Sequence, residues 1–356
     1  MNLFISYFKK TPALYLVILV VIALEVSLHF IPNLYYIDSG GAFFTTYKRK
    51  IAENKNESFD FVMYGDSRSL SIFGKKKSEK TLYSMYNFSL PAAGPRYFKF
   101  YLKKYLDNHP KPKMVIWAAD PEQFQLSKGL SFHTDKALWS QYKHRLLNLF
   151  SMKENFEQYK GEELFFIMKE SIPELLLSVK YREGIEKFFS GLKLHKFNNI
   201  QPPNVERNKI IETMVSKTNG QINLGTFFLA PEDASSLENM KPYIAAMQKT
   251  EFNIDPLKEF LEYCNKEELP VVVLEIPHAI GLNSTPFYKS VYNAIHEEVA
   301  KTPKAIYLRF PENDYPYNLF SESIHYNTKG EKKVNEEFDL YVYPKILEFV
   351  KKHEKK

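Results

Sequence analysis

The feature that most constrains the fold is a series of short, continuously apolar runs separated by helical patterns. Runs of this kind, rich in Val and Ile, are typical of strands that are buried on both faces of a sheet. Alternation of such strands with helices predicts an α/β fold, a three-layer sandwich around a five-stranded parallel sheet. The runs are FDFVMYG (59–65), SMYNFSL (84–90), KMVIWAA (113–119), LPVVVLEIP (269–277) and AIYLRF (305–310).

Helical patterns lie between and after these runs. PRYFKFYLKKYLDNH begins with Pro95, a residue favoured in the first turn of a helix, and ends before Pro110. IDPLKEFLEYCNKEE precedes the fourth run, and TPFYKSVYNAIHEEVAK follows it. After the fifth run comes TKGEKKVNEEFDLYVYPKILEFVKK, for which Thr328 is the predicted N-cap.

The alternation stops between about residues 127 and 254. This stretch contains helical patterns and a Pro/Asn-rich passage, KFNNIQPPNVERN, and it is too long for a simple loop. We interpret it as a largely helical insertion in a single domain that spans 36–356. An insertion of this kind either forms a lid or partner-docking surface or only covers apolar surface, and the sequence leaves both open.

The N-terminal segment 1–35 differs in composition from the rest. The apolar run Ala13–Ile31 follows Lys9 and Lys10 and ends before Pro32. At 1.5 Å per residue it spans about 28 Å as a helix, close to the thickness of a bilayer core. A cleaved signal peptide has a shorter apolar region that ends in small residues. The length and the bulky end of this run favour an uncleaved membrane anchor.

The charges around this segment predict its orientation. Lys9 and Lys10 are expected on the cytoplasmic side, and residues 48–50 (KRK) oppose this but lie well past the apolar end. The protein is therefore expected in the cytoplasmic membrane as a single-pass protein, with the C-terminal domain on the periplasmic side. Glu25 lies within the apolar run, where it either faces a partner helix or snorkels to the interface.

Composition narrows the class of partner. The formal net charge is +6, which for an extracytoplasmic domain indicates attraction to an anionic envelope surface rather than to nucleic acid. Cys264 is the only cysteine, so no internal disulfide is possible. Aromatic residues make up 15% of the chain, as expected for a Phe/Tyr-rich core or, alternatively, for a cleft that stacks on sugars.

Ser67 is the candidate nucleophile. It follows the first predicted strand in the sequence YGDSR, and sites in open parallel sheets gather at the carboxyl ends of the strands. Gly65 permits a tight turn there, and the N–H groups of a following helix can stabilise an oxyanion. Ser67 alone is equally compatible with a helix cap.

His325 and Glu322 are the candidate base and its orienting partner. Both lie in the polar segment LFSESIHYNTKG after the fifth predicted strand. Their spacing in a turn lets the carboxylate reach one ring nitrogen while the other faces the serine. By themselves the two residues also fit a local surface pair.

Together these motifs resemble the SGNH, or GDSL, hydrolase superfamily over about residues 57–345. Its first block matches as Gly65-Asp66-Ser67. Its last block, usually D-x-x-H, matches as Glu322-Ser323-Ile324-His325, with the longer glutamate in place of aspartate. The resemblance implies a Ser67–His325–Glu322 triad and requires no metal or cofactor.

The two middle blocks depart from the family pattern. The second block usually supplies a glycine N–H to the oxyanion hole, but Ala92 stands in its place and Gly94 follows two residues later. The third block is usually G-x-N-D, whose Asn donates to the oxyanion, and this chain has AADPEQF. Asp120 and Gln123 are the nearest polar candidates for substrate binding.

These departures resemble the membrane-anchored branch that includes the teichoic-acid D-alanylation and alginate O-acetylation proteins. The implied function is serine acyl transfer or ester hydrolysis on O-acyl groups of a cell-envelope glycan or lipid. The implied partners are an acyl donor and a multispanning membrane O-acyltransferase. The alternative is a non-catalytic envelope protein that keeps the fold to bind a glycan or that acyltransferase.

Overall fold

The structure is a computed structural model, and it describes most but not all of the chain. The described residues are 12–31, 33–38, 40–78, 81–91, 93–126, 161, 164–165, 176–195, 203–223, 237–248 and 250–354. Residues 136–150 (KALWSQYKHRLLNLF), one of the helical patterns in the predicted insertion, lie outside them, and so does the predicted site residue Ala92.

The chain is a mixed α/β protein with a five-stranded parallel sheet. The strands are β1 (Phe61–Tyr64), β2 (Met85–Asn87), β3 (Met114–Ala119), β4 (Gln125–Leu126), β5 (Glu251–Phe252), β6 (Val271–Glu275), β7 (His278–Ala279), β8 (Ala305–Arg309) and β9 (Asp314–Tyr315). The main sheet has the order β2-β1-β3-β6-β8, and every pairing in it is parallel. All five predicted strands are therefore confirmed, each somewhat shorter than its apolar run.

The central strands are buried along their whole length. Every residue of β1, β3 and β6 is buried, which explains why their sequences are continuously apolar rather than alternating. β8 pairs with β6 alone among the described strands and is partly exposed. Its partial exposure follows from its position at an edge of the sheet.

Aromatic side chains fill much of the core beside the sheet. The Trp117 ring lies 5.2 Å from that of Phe98, 5.8 Å from that of Phe124 and 4.9 Å from that of Phe260, measured between centroids. Two of these contacts are edge-to-face, an arrangement that the ring quadrupoles favour. The high aromatic content thus contributes to a packed core.

The helices alternate with the strands of the main sheet. The described helices are α1 (Pro12–His29), α2 (Gly40–Glu53), α3 (Pro95–Asn108), α4 (Leu177–Lys180), α5 (Arg182–His195), α6 (Pro203–Lys217), α7 (Leu237–Ala246), α8 (Asp255–Lys266), α9 (Pro286–Lys301), α10 (Thr328–Glu337) and α11 (Tyr343–Glu354). A π-helical turn, Phe338–Val342, joins α10 to α11. Short 3₁₀ turns span Leu34–Ile37, Ser69–Ser71, Pro121–Phe124 and Tyr317–Leu319.

Two predicted local features can be checked directly in these helices. The N-cap of α10 is Asn327, whose side chain accepts from the N–H groups of Lys329 and Gly330, so the prediction that Thr328 is the cap is wrong by one residue. Asn and Thr both cap well, and the choice between neighbours depends on backbone geometry that the sequence does not show. Cys264 is buried in α8, and burial raises the pKa of its thiol, as expected for a packed rather than a reactive cysteine.

The chain divides into two compact units. The first comprises Met1–Thr46 with Ser140–Ile210, and the second comprises Tyr47–Trp139 with Ile211–Lys356. The main sheet belongs to the second unit.

Within the first unit, α1 contains the segment that was predicted to span the membrane. Apolar side chains along it, including Leu16 and Leu19, are exposed. The Glu25 carboxylate accepts from the backbone N–H of Leu177 at 2.8 Å and of Ser178 at 3.0 Å, at the start of α4. Glu25 therefore has a partner within the chain. Among the described residues, no helix combines the length and the hydropathy that a membrane crossing requires.

Candidate active site

The Ser67 turn begins directly after β1. The 3₁₀ turn Ser69–Ser71 follows it, and the N-cap of that turn is Arg68, with no side-chain cap. Ser67 therefore caps no helix, and within the described residues its hydroxyl has no hydrogen-bond partner. The interpretation of Ser67 as a helix cap is wrong, because the residue that follows it occupies the cap position.

Neighbouring side chains hold this turn in shape. The Asp66 carboxylate accepts from the Arg68 N–H at 3.0 Å, and the Ser69 hydroxyl donates to the Asp66 carbonyl at 2.9 Å. A Cβ at Gly65 would lie 2.1 Å from the Ser69 Oγ, so the turn needs glycine at that position. The Ser69 hydroxyl is thus used by the fold, whereas the hydroxyl of the candidate nucleophile Ser67 has no partner within the described part of the chain.

His325 and Glu322 form the pair that their spacing predicts. A Glu322 carboxylate oxygen accepts from the His325 backbone N–H at 2.9 Å and lies against the His325 Nδ1, while the other oxygen accepts from the Ile324 N–H at 3.2 Å. These contacts orient the imidazole so that the His325 Nδ1–H donates to the Glu322 carboxylate. The neutral ring then carries its lone pair on Nε2, which is the form that a general base requires.

The His325 Nε2 atom is buried, and no group among the described residues pairs with it. Burial raises the pKa of Glu322, but hydrogen bonds from the His325 ring and backbone outweigh burial and leave that pKa below its ordinary value. Glu322 is therefore ionised at neutral pH, as a group that orients and compensates an imidazolium must be.

Ser67 and His325 both come after the carboxyl ends of strands of the main sheet, Ser67 after β1 and His325 after β8. The Asn335 side chain in α10 donates to the Ser71 carbonyl at 2.7 Å and accepts from the Phe73 N–H at 2.7 Å, which ties α10 to the turn after β1. The hydroxyl of Tyr326, directly after His325, donates at 2.5 Å to the carbonyl of Pro277, which follows β6. No hydrogen bond joins Ser67 to the His325 Nε2, and in unliganded sites catalytic hydrogen bonds are often longer than in complexes.

The segment after β2 runs beside the Ser67 turn. The Leu90 N–H donates to the Gly65 carbonyl at 3.1 Å, and the Ala93 N–H donates back to Leu90 at 3.2 Å. Gly94 is the N-cap of α3 and has an extended backbone. Leu90 is thus bonded directly to the serine turn, and Ala93 is bonded to Leu90, whereas Ala92 lies outside the described residues.

The two polar side chains predicted to bind substrate after β3, those of Asp120 and Gln123, are hydrogen-bonded within the protein. The Gln123 amide donates to the Ala118 carbonyl at 3.0 Å and accepts from the Trp117 indole at 2.8 Å, so it is anchored to the end of β3. Asp120 is fully buried, and its carboxylate accepts from the Glu122 N–H at 2.8 Å and from Arg68. Neither residue therefore offers an unused side-chain amide in the place of the Asn that the SGNH resemblance implies.

Sequence reasoning missed the buried ion cluster centred on Arg68. Its guanidinium bridges Asp120 and Glu122, the latter at 2.6 Å, and Tyr288 donates to Glu122 at 2.7 Å. Burial lowers the pKa of Arg68, but Glu122 and other neighbours outweigh burial and raise it well above its ordinary value. The signal in the sequence was an arginine after β1 and two acids after β3, but only the fold shows that these two strands are neighbours in the sheet.

His278 extends this cluster on the far side of Asp120. Its Nδ1 lies 3.7 Å from the Asp120 carboxylate, and its Nε2 lies 2.6 Å from the Tyr292 hydroxyl. Burial and the nearby Arg68 lower the pKa of His278 well below its ordinary value, so the ring is neutral. Among the described residues, no group of three His, Cys, Asp or Glu side chains is arranged to hold a metal ion.

A family model described as "Protein of unknown function (DUF1574)" matches residues 33–330. The chain belongs to this family. The DUF1574 match includes Ser67, Asp120, Glu122 and the Glu322–His325 pair, and it begins after α1. No curated protein matches the chain.

Proposed function

We propose that this DUF1574 protein is a membrane-anchored serine acyltransferase or esterase of SGNH type. It acts on O-acyl groups of a cell-envelope glycan or lipid. The observation that carries the proposal is the buried Nε2 of His325, which has no partner among the described residues, with Glu322 on the other ring nitrogen. A surface pair would have no reason to bury a ring nitrogen without a partner.

Acyl transfer begins with attack of the Ser67 Oγ on the acyl carbonyl carbon. As the new C–O bond forms, the His325 Nε2 takes the hydroxyl proton, and Glu322 stabilises the resulting imidazolium. The tetrahedral intermediate collapses when the bond to the leaving oxygen breaks and His325 returns the proton to that oxygen. The product of this half-reaction is an ester of Ser67.

Backbone N–H groups stabilise the oxyanion of the intermediate in this mechanism. The Ser67 N–H has no hydrogen-bond partner among the described residues, so it is open to a ligand. The Gly94 N–H, at the start of α3, has no hydrogen-bond partner among the described residues and provides the second donor. Donors held by the fold need no reorganisation as charge develops, which is why they contribute strongly.

The acyl-enzyme is resolved by a hydroxyl group of the acceptor. His325 removes the proton from that hydroxyl, the oxygen attacks the Ser67 ester, and the serine leaves with its proton restored. A glycan hydroxyl gives transfer, and water gives hydrolysis. An anchored enzyme that works beside a membrane O-acyltransferase favours transfer, because donor and acceptor are then held at one surface.

The test is reaction of the full-length protein with a serine-directed fluorophosphonate, followed by mapping of the labelled residue. We expect the label on Ser67, loss of labelling in Ser67→Ala, and normal labelling in the control Ser323→Ala. A folded wild-type protein without label, or label that persists in Ser67→Ala, would contradict the proposal.

A second function is favoured by the ion cluster after β3. Because Asp120 and Glu122 bind Arg68, the third block holds carboxylates where an oxyanion donor is expected. A non-catalytic protein that binds a glycan or an acyltransferase would tolerate this change. Normal envelope modification in cells that carry only the Ser67→Ala protein would support this second function.

A further inference from the structure

Lys48 in α2 is a fully buried lysine. Its ammonium group donates to the carbonyl of Asn87 at 2.7 Å, of Ser89 at 2.6 Å and of Gly220 at 2.9 Å. Within the described residues no carboxylate pairs with it. Burial of a lysine without a counter-ion is costly, so the position calls for a reason beyond packing.

The three contacts identify the charged form. A lysine ammonium has three N–H donors and no acceptor, whereas the neutral amine has two donors and a lone pair. Burial lowers the pKa of Lys48 well below its ordinary value, but three carbonyl oxygens at hydrogen-bond distance can all be satisfied only by the ammonium. Lys48 thus places a positive charge inside the domain.

The carbonyl of Gly220, the third acceptor of the Lys48 ammonium, is positioned by a backbone conformation that favours glycine. Gly220 has φ +101°, and a Cβ on it would lie 2.2 Å from the Asn87 carbonyl oxygen. The close approach of these two segments is possible only for glycine. The cage around the ammonium is therefore built by the fold rather than left over from packing.

The other two carbonyls belong to the segment behind the candidate site. Ser89 bonds through its hydroxyl to Ser69 at 2.8 Å, and the Asn87 side chain donates to the Ser69 carbonyl at 2.8 Å. Ser69 in turn holds Asp66. Lys48 is thus linked by two successive contacts to the serine turn, and the segment that it binds continues into the Ala92–Gly94 turn.

We propose that Lys48 in α2 is a positioning residue for the acyl chemistry. Its ammonium holds the Asn87–Leu90 segment against the Ser67 turn, so that the backbone N–H groups of both turns face one oxyanion. The inference rests on the proposed function.

The test uses the full-length protein with Lys48→Met, which keeps the length of the side chain but has no donor. We expect kcat for p-nitrophenyl acetate and the rate of fluorophosphonate labelling of Ser67 to fall together by roughly 10- to 100-fold, with KM changed less than about threefold. The matched control is Lys50→Met, because Lys50 lies on the same helix but is exposed.

Thermal unfolding separates positioning from stability. A purely structural lysine would lower the unfolding temperature of Lys48→Met while leaving kcat and labelling at the wild-type level below that temperature, and this result would overturn the proposal. Lys48→Gln, which retains two N–H donors, should give an intermediate kcat. If Lys48→Met does not fold, the kcat and labelling rate of Lys48→Gln alone test the proposal. Loss of the fold in both variants would assign Lys48 to folding and likewise overturn it.

The same experiments distinguish a failure of the Lys48 proposal from a failure of the proposed acyl chemistry. Wild-type protein that reacts with neither probe, or label that persists in Ser67→Ala, would contradict the acyl chemistry itself. Wild-type and Lys48→Met proteins that react equally at Ser67 would leave the chemistry standing and reject only the role of Lys48.

Discussion

At the scale of single residues, the site combines one unused hydroxyl with one unused ring nitrogen. Ser67 caps no helix, and the His325 Nε2 is buried without a partner in the described part of the chain. Most polar atoms around them, including those of Asp66 and Ser69, serve the fold. A site of this kind is poised for a ligand that supplies the missing contacts.

Kinetic substitutions should reveal an order of severity among the three predicted triad residues. Ser67→Ala and His325→Ala should each lower kcat on the order of 10⁴-fold or more, and their losses should not add, because nucleophile and base act as a unit. Glu322→Gln should lower kcat by about 10²- to 10³-fold, because the His325 ring keeps its place but the imidazolium loses its compensating charge. Glu322→Asp should be mildest.

Esterase kinetics and thermal unfolding of the same variants check this order. The free energy of unfolding of Ser67→Ala should lie within about 0.5 kcal/mol of the wild-type value, because the Ser67 hydroxyl bonds to none of the described residues. Equal kcat values for Glu322→Gln and the wild type would remove Glu322 from the mechanism.

The Glu322 carboxylate should also leave a signature in stability. Its folded pKa lies below the ordinary value of 4.5, so its contribution is present above pH 4.5 and is lost as the pH falls through the lower folded pKa. The difference in unfolding temperature between wild type and Glu322→Gln should therefore shrink as the pH falls from about 5 to 3. A difference that grows over this range would show that the carboxylate is not stabilised by His325.

At the scale of elements, the Arg68 cluster joins the end of β1 to the end of β3. Removing Arg68 leaves the fully buried Asp120 without its cation. Loss of one partner of a buried ion pair typically costs about 3–5 kcal/mol. We expect Arg68→Met to lower the free energy of unfolding by that order, measured by denaturant titration.

The exposed pair Lys258–Asp255 provides a matched control for this prediction. Lys258→Met should change stability by no more than about 0.5 kcal/mol. The double variant Arg68→Met with Asp120→Asn should recover part of the loss, because the orphaned charge is then removed. An Arg68→Met protein as stable as the control would show that the cluster contributes little to the fold.

The strands of the main sheet were predictable because burial on both faces requires continuous apolar runs. β7 and β9 were not, because two residues are too few to show a period. The Glu322–His325 contact was predictable from spacing along the chain. The contact of Arg68 with Asp120 was not, because it joins residues 52 positions apart that only the strand order brings together.

Lys48 illustrates a different limit of sequence reasoning. In the sequence it stands in a basic triplet with Arg49 and Lys50, and such triplets are ordinarily solvated. Lysine is among the residues least often found fully buried, so its expected position is the surface. The carbonyl cage that reverses this expectation is formed by backbone atoms, which carry no signature in the sequence.

At the scale of the whole molecule, the proposed function depends on which side of the membrane holds the sheet. The prediction of an extracytoplasmic domain rests on Lys9 and Lys10 before the apolar run. A reporter fused after Lys356 that is active only outside the cytoplasm, such as alkaline phosphatase, should be active. A reporter that fluoresces only in the cytoplasm should be dark at the same position.

These two fusions control for each other, because an inactive reporter by itself could reflect poor expression. Fluorescence from the cytoplasmic reporter, with an inactive phosphatase, would put the domain on the wrong side for envelope glycans. That outcome would contradict both candidate functions in their present form.

The bonds from Asn335 to the turn after β1 also have a consequence for synthesis. Asn335 follows Ser71 by 264 residues, so at about 5–20 residues per second it leaves the ribosome roughly 13–50 s later. His325 emerges only shortly before it. If the proposed acyl chemistry is right, the nascent chain carries Ser67 without the base His325 throughout that interval, and the serine has only ordinary reactivity. Under the same proposal the site becomes competent only when the last part of the chain has been made.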